Sequence, residues 1–177
     1  MKARLGMAAC LVILGIALHS GKGQATPPTT PGFAGTTLAK GTYGQILSHV
    51  HTTPPAWSEL ILTKGSSDLY VQENTWDPAA CRNQCVPSTG WHTHPGPSFV
   101  IVTQGSVTVY DGQDRACTPH VYTAGTPDNA FVDPGGGHVH IVRDESGSAA
   151  KAIAVQLIPA GAERRQDTPQ PKARCSF

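Results

Sequence analysis

The 177-residue chain is poor in charge: only 14% of its residues are Asp, Glu, Lys or Arg, and the two signs nearly cancel at +1. It has no basic stripe, which argues against a nucleic-acid binder. A disordered chain would be more charged and poorer in Val, Ile, Leu and Phe than this one, which is 39% hydrophobic. The apolar stretch Leu5–Leu18 falls short of the roughly 20 residues of a comfortable membrane span. No segment keeps a 3.6-residue apolar period over a helical length, and there is no internal repeat, GxGxxG or P-loop. Helical bundles and the common nucleotide-binding folds are therefore without a signal.

The N-terminus has a separate character. Lys2 and Arg4 precede "LGMAACLVILGIALHS", and Gly-Lys-Gly-Gln-Ala follows. A positive start, a short apolar middle and small residues predict a secretory signal peptide over residues 1–25, cut near Ala25, and a secreted or periplasmic location. Cys10 lies inside the apolar core rather than just after it, which argues against a lipoprotein. Cleavage removes Lys2, Arg4 and Lys22, leaving 10 basic against 12 acidic residues and a net charge of −2. Charge-driven membrane attachment is not expected of such a chain.

Export places Cys81, Cys85, Cys117 and Cys175 in an oxidising setting. Of three pairings, Cys81–Cys85 and Cys117–Cys175 are favoured. The first closes the tight "CRNQC" loop, and the second ties the C-terminal tail to the body, a closure contributing about 4 kcal/mol in the chain-entropy model. A four-cysteine zinc site would need two short-spaced pairs, and only one is present.

Gly 19 and Pro 15 punctuate the rest. Residues 26–40 begin "TPPTTPGFAGT" and read as an extended leader; 41–160 form the body and 161–177 a tail pinned by Cys175. Within the body, "TYGQILSHVH", "ELILTK", "DLYVQENTW", "SFVIVTQG", "SVTVYDG", "GHVHIVRDE" and "AKAIAVQLIPA" are short β-type runs separated by turn residues. The pattern predicts an all-β sandwich or barrel with little helix. One helical turn is expected in "AGAERRQ" after Pro159.

Two histidine pairs carry the chemistry. In a strand, residues two apart share a face, so His92 and His94 project together, with Ser98, Val100 and Val102 if the strand continues past Pro97. Phe99, Ile101 and Thr103 take the other face, and the strand is expected to be buried on both sides. Imidazoles at the mouth of a buried strand need partners, and a metal ion would satisfy both. His138 and His140 in "DPGGGHVHIVRDE" offer a third ligand; pairing of the histidines with backbone carbonyls, Asp133 or Asp144 is the alternative. Trp91, Tyr110 and Arg143 are candidate pocket residues with ordinary structural roles open to each.

These stretches resemble the cupin motifs. His92-Thr93-His94, Pro95-Gly96-Pro97, Ser98 and then six residues to Gly105 match the spacing of the first motif, H-x-H, a short gap, Glu, six residues, Gly. Pro134-Gly135-Gly136 and His140-Ile141-Val142-Arg143-Asp144 resemble the second. The resemblance covers roughly residues 65–160 and implies a double-stranded β-helix, a jelly-roll barrel with the metal inside. Val86 stands where a Gly is expected, Ser98 where the Glu is, and Asp144 where an Asn is; the gap before His140 is one residue long. The spacing to Asp144 favours His140 over His138 as ligand, and the longer Gly run keeps His138 as a substitute or supporting residue.

The resemblance implies a divalent metal (Fe, Zn, Mn, Cu or Ni) on His92, His94 and His140. Without the Glu, three neutral imidazoles leave the ion its full charge, which favours a small anionic ligand. The expected function is that of an exported metal-dependent enzyme of oxygenase or isomerase type; a non-catalytic module binding a metal or small ligand is the alternative. A homodimer through residues 37–62 is a further expectation from the resemblance.

Overall fold

The computed structural model describes residues 30–54, 56–82, 84–171, 175 and 177. The signal-peptide reading of residues 1–25 and the start of the leader lie outside them. Among the described residues, twelve strands account for the regular structure, with one short 3-10 turn at Pro78–Cys81 capped by Asp77.

One five-stranded sheet has the order β1 (Phe33–Tyr43), β4 (Ser67–Trp76), β11 (Ala150–Pro159), β6 (Ser98–Gln104), β9 (Ala130–Asp133). The other runs β12 (Gln166–Asp167), β5 (His92–Thr93), β10 (His140–Arg143), β7 (Ser106–Asp111), β8 (His120–Thr123). All pairings are antiparallel. From β4 to β12 the chain passes repeatedly from one sheet to the other, so the fold is the all-β jelly roll of cupin type. A hairpin of β2 (Leu47–Thr52) and β3 (Trp57–Leu62) stands apart as a two-stranded sheet.

Period-two alternation builds the core. Val100 and Val102 of β6 point inward with Trp76, Val107, Val142, Ala150, Ala152 and Ala154. Each fully buried Val contributes about 1.5–3 kcal/mol. The inner face of β11 carries Ala150, Ala152 and Ala154, followed by Gln156 and Ile158. Small side chains on a central strand leave room inside the barrel. Gly105, at φ +64°, makes the tight passage from β6 to β7, and a Cβ there would press on the carbonyl of Ala149.

Several expectations need correction. β6 is not buried on both sides: Phe99 and Ile101 are 53% and 50% exposed on the sheet's outer face, which the described residues leave largely open. Residues 33–40, expected in the leader, are extended but paired along β4. "AGAERRQ" forms a turn leading into β12 rather than a helical turn, its backbone drawn off by tertiary partners described below. The tail is held by more than Cys175: β12 pairs with β5, the Thr168 amide donates to the Trp91 carbonyl, and Phe177 stacks on Trp91.

Both favoured disulfides are present, Cys81–Cys85 and Cys117–Cys175. The second closes a separation of 58 residues beside Trp91, Tyr110 and Ile141. The chain from residue 26 onward is therefore expected to show no reactive thiol in denaturant without reductant; more than trace reaction contradicts the pairing. Replacing Cys117 and Cys175 by Ser should lower unfolding free energy by about 4 kcal/mol, read as a lower denaturation midpoint.

Candidate metal centre

The antiparallel register sets His140 of β10 directly opposite His92 of β5. His94 follows one residue beyond the end of β5, on the same face. All three side chains are buried. Their ring centroids lie 4.3 Å (His92–His140), 4.8 Å (His92–His94) and 5.4 Å (His94–His140) apart. One nitrogen from each lies within 4.8 Å of the others, a group able to hold one metal ion.

Two of the imidazoles donate from Nδ1 to a backbone carbonyl, and His140 Nδ1 has no hydrogen-bond partner. His92 Nδ1 donates to the Gly90 carbonyl at 2.9 Å, and His94 Nδ1 to the Arg164 carbonyl at 2.8 Å. His140 Nδ1 faces Asp133 Oδ1 at 3.5 Å. Carbonyl oxygens only accept, so on His92 and His94 they favour the proton on Nδ1 and leave the Nε2 lone pair for a ligand. Burial pushes His92 well below the ordinary imidazole range, and the neighbouring His140, Arg165 and His94 push the same way. Burial likewise lowers His94, and it brings His140 down to about 4. Three neutral imidazoles are what a divalent ion requires.

The loops carrying the histidines are pressed together at two glycines. Gly135 has φ +68°, and a Cβ there would collide with the backbone of Gly96; a Cβ on Gly96 would collide with the Leu157 carbonyl. The Gly136 amide donates to the His94 carbonyl at 2.8 Å. This close approach joins the two histidine loops around one space.

That space is a cavity of about 200 Å³ beside the three rings. Ser98 and Val100 line it, as their shared face with the histidines predicts. Trp76, Phe131 and Ala154 give it apolar walls, and Gln156, Asp133, Arg164 and Arg165 are among its polar groups. Gln156 Nε2 donates to Ser98 Oγ at 2.7 Å and sits 3.2 and 3.3 Å from the two His94 nitrogens, a place over the ring rather than along a lone pair. Arg164 Nη1 donates to Gln156 Oε1 at 2.9 Å. Arg165 bonds Asp167 and the Thr89 carbonyl.

His138 stands outside the trio. Its Nδ1 lies 2.9 Å from Asp133 Oδ1 and its Nε2 3.2 Å from Asp111 Oδ1. Burial lowers its pKa, but the two carboxylates outweigh burial and the net shift is upward. With Asp133 and His140 it makes a second group of metal-capable donors that shares His140. Asp144 is buried and accepts from the Ser146 amide and hydroxyl, away from the cavity. Trp91, Tyr110 and Arg143 are absent from the cavity: Trp91 and Tyr110 form a separate apolar cluster, and the Arg143 guanidinium lies 3.7 Å over the Phe177 ring.

Sequence reasoning missed Gln156, Arg164, Arg165 and the cavity-facing role of Asp133. Gln156 had a signal, as the one polar residue on the inner face of β11. The arginines had none, because the pairing of β12 with β5 brings them to the cavity.

No protein-family model matches the chain, and no curated protein matches it. Solved structures do. The polyketide cyclase RemF from Streptomyces resistomycificus aligns at TM-score 0.43 and 15% identity over 80% of this chain and 79% of that one. A cupin superfamily protein from Desulfitobacterium hafniense aligns at TM-score 0.38 and 8% identity over 70% and 81%. An oxalate oxidase in complex with glycolate aligns at TM-score 0.39 and 18% identity over 50% of this chain, which spans 41% of that enzyme. The assignment to the cupin-type jelly roll rests on the chain's own strand order and register.

The depressed histidines make the metal-free protein acid-sensitive. Between about pH 4 and 6.5 the unfolded chain binds protons that folded His140 does not, so stability rises with pH in that window. A folded value of about 4 against 6.5 corresponds to about 3 kcal/mol, fully present above pH 6.5 and lost as pH falls towards 4. Denaturation midpoints of the metal-free protein across this range should show the rise, and His140→Phe should make it shallower. A level profile in the unaltered protein contradicts the burial-driven shifts.

Proposed function

We propose that the chain binds one divalent metal ion through His92, His94 and His140 and presents it to a small anionic molecule in the barrel cavity. The observation that carries this reading is the trio of buried imidazoles with one nitrogen from each within 4.8 Å of the others. The donor set suits zinc, iron, copper, nickel or manganese. When bound, such an ion supplies Lewis acidity beside a largely apolar pocket.

The surrounding residues support a small anion as ligand. Arg164 and Arg165 bring positive charge to the wall, and Trp76, Phe131 and Ala154 make part of it apolar. A cavity of about 200 Å³ admits a small acid rather than a polymer. A metal-dependent enzyme of oxygenase or isomerase type is the function this arrangement supports best. A binding module without turnover would use the same histidines and differ in showing no product.

The two disulfides are compatible with an extracellular location, and we place the protein outside the cytoplasm. We also propose a homodimer. Phe99, Ile101 and Val132 on the outer face of the first sheet, and Leu60 and Leu62 on the β2–β3 hairpin, are exposed large apolar residues on one chain. A second copy would cover them and leave the cavity, on the other side of the sheet, in place.

Material purified without a histidine tag should contain about one metal ion per chain, and the His92→Ala/His94→Ala/His140→Ala variant almost none. Equal, near-zero metal in both after incubation with iron, zinc, manganese, copper and nickel overturns the metal reading. Oxygen uptake and product formation with a panel of thiols, diols and organic acids then separate enzyme from binder. Light scattering should give twice the chain mass, and Phe99→Glu/Leu60→Glu the single mass; a monomer at micromolar concentration contradicts the dimer.

A further inference from the structure

The cavity is graded from one end to the other, and the strand register sets the gradient. Ser98 of β6 stands opposite Gln156 of β11, and the next pair on that face is Val100 opposite Ala154. Across β9, Asp133 meets Ser98 and Phe131 meets Val100. Ser98, Gln156 and Asp133 therefore make one polar level, and the His94 ring lies against Gln156 there. Val100, Ala154 and Phe131 make an apolar level beside it, which Trp76 completes. Phe33 packs on Trp76 with ring centroids 5.2 Å apart, and Asn74 sits at the margin beside Gly35.

The two arginines of the wall are not equivalent. The Arg165 guanidinium is engaged by the Asp167 carboxylate and the Thr89 carbonyl. Arg164 has no carboxylate partner among the described residues; its Nη1 donates to Gln156 Oε1, a neutral oxygen, at 2.9 Å. A guanidinium has five N–H donors in a planar fork that matches a carboxylate. The same bond fixes the Gln156 amide. With Oε1 on Arg164, Nε2 turns to Ser98 Oγ at 2.7 Å and keeps a second hydrogen to give. A cation without a counter-charge and an amide donor thus sit side by side at the polar level. The aromatic level beyond them would leave a second charge on the ligand unpaired.

We propose that the cavity takes an amphipathic monocarboxylic acid, its carboxylate on Arg164 and Gln156 Nε2 and its aromatic or branched body against Trp76 and Phe131. Arg164 is the specificity-determining residue, and Gln156 is positioned by it. Offset or edge contacts of a flat body with the two rings add to burial of its apolar surface. This inference deepens the reading of the cavity as the site of a small anion beside a metal ion, and rests on it.

The test is titration calorimetry at neutral pH, on the metal-free and the zinc-loaded protein, with benzoate and phenylacetate. Acetate, which lacks the body, and benzamide, which lacks the charge, are the comparisons. In both forms at least one aromatic acid should bind at least about tenfold more tightly than acetate or benzamide, since a charge-assisted hydrogen bond is worth that much. Arg164→Gln should weaken that acid at least about tenfold. Its zinc affinity should stay close to that of the unaltered protein, because the backbone carbonyl of residue 164 still holds His94. In the unaltered protein, the acid's ring protons should show Overhauser contacts to Trp76 or Phe131. Aromatic acids no tighter than acetate or benzamide, a smaller loss in Arg164→Gln, or ring protons near neither side chain overturns the proposal. Acid binding as expected in a protein that takes up no zinc overturns the three-histidine reading alone, so the two failures are distinct.

Discussion

The arrangement of this protein depends on one register: His140 of β10 opposite His92 of β5. Because side chains alternate along a strand, a slip of one residue would turn His140 away from the cavity and bring Ile141 in. The pairing of β10 with β7 on its other edge, residue by residue from His140–Asp111 to Arg143–Thr108, holds that register. The contact between Gly135 and Gly96 then fixes the loop that carries His94 against the loop that precedes β10. Three imidazoles are brought together by backbone pairing and backbone contact, not by attraction among themselves.

What keeps them together without mutual repulsion is neutrality. Burial depresses His92, His94 and His140, and the Gly90 and Arg164 carbonyls accept from Nδ1 of the first two. The C-terminal tail takes part in this directly, since the Arg164 carbonyl is the acceptor for His94 and Asp167 pairs with His92. The Cys117–Cys175 disulfide therefore tethers a segment that helps to build the site as well as closing the chain. Room for a ligand comes from the alanines of β11, where larger residues would fill the barrel.

The sequence was informative about whatever depends on local pattern. Alternating β-branched runs and turn residues announced the barrel, and the spacing of His92-Thr93-His94 and His140 announced the trio. Cysteine spacing announced both disulfides. Patterns that depend on what lies across the sheet were less legible. Phe99 and Ile101 read as core because both faces of "SFVIVTQG" are apolar, yet only the Val100–Val102 face is covered. "AGAERRQ" has helical propensity, but the His94 ring takes the Arg164 carbonyl and Thr89 and Asp167 take the Arg165 guanidinium. Asp133 read as a partner for histidine, which it is; its place on the cavity wall has no sequence signature.

The central claim is that His92, His94 and His140 are neutral, carry their proton on Nδ1 and converge with free Nε2 atoms. Long-range proton–nitrogen NMR of ¹⁵N-histidine-labelled, metal-free protein at neutral pH tests it most directly. Three imidazoles should show the Nδ1–H tautomer, and one equivalent of zinc should shift the Nε2 resonances of those three together. An Nε2–H tautomer or a charged ring at any of the three positions, or no shift on adding zinc, would contradict the account.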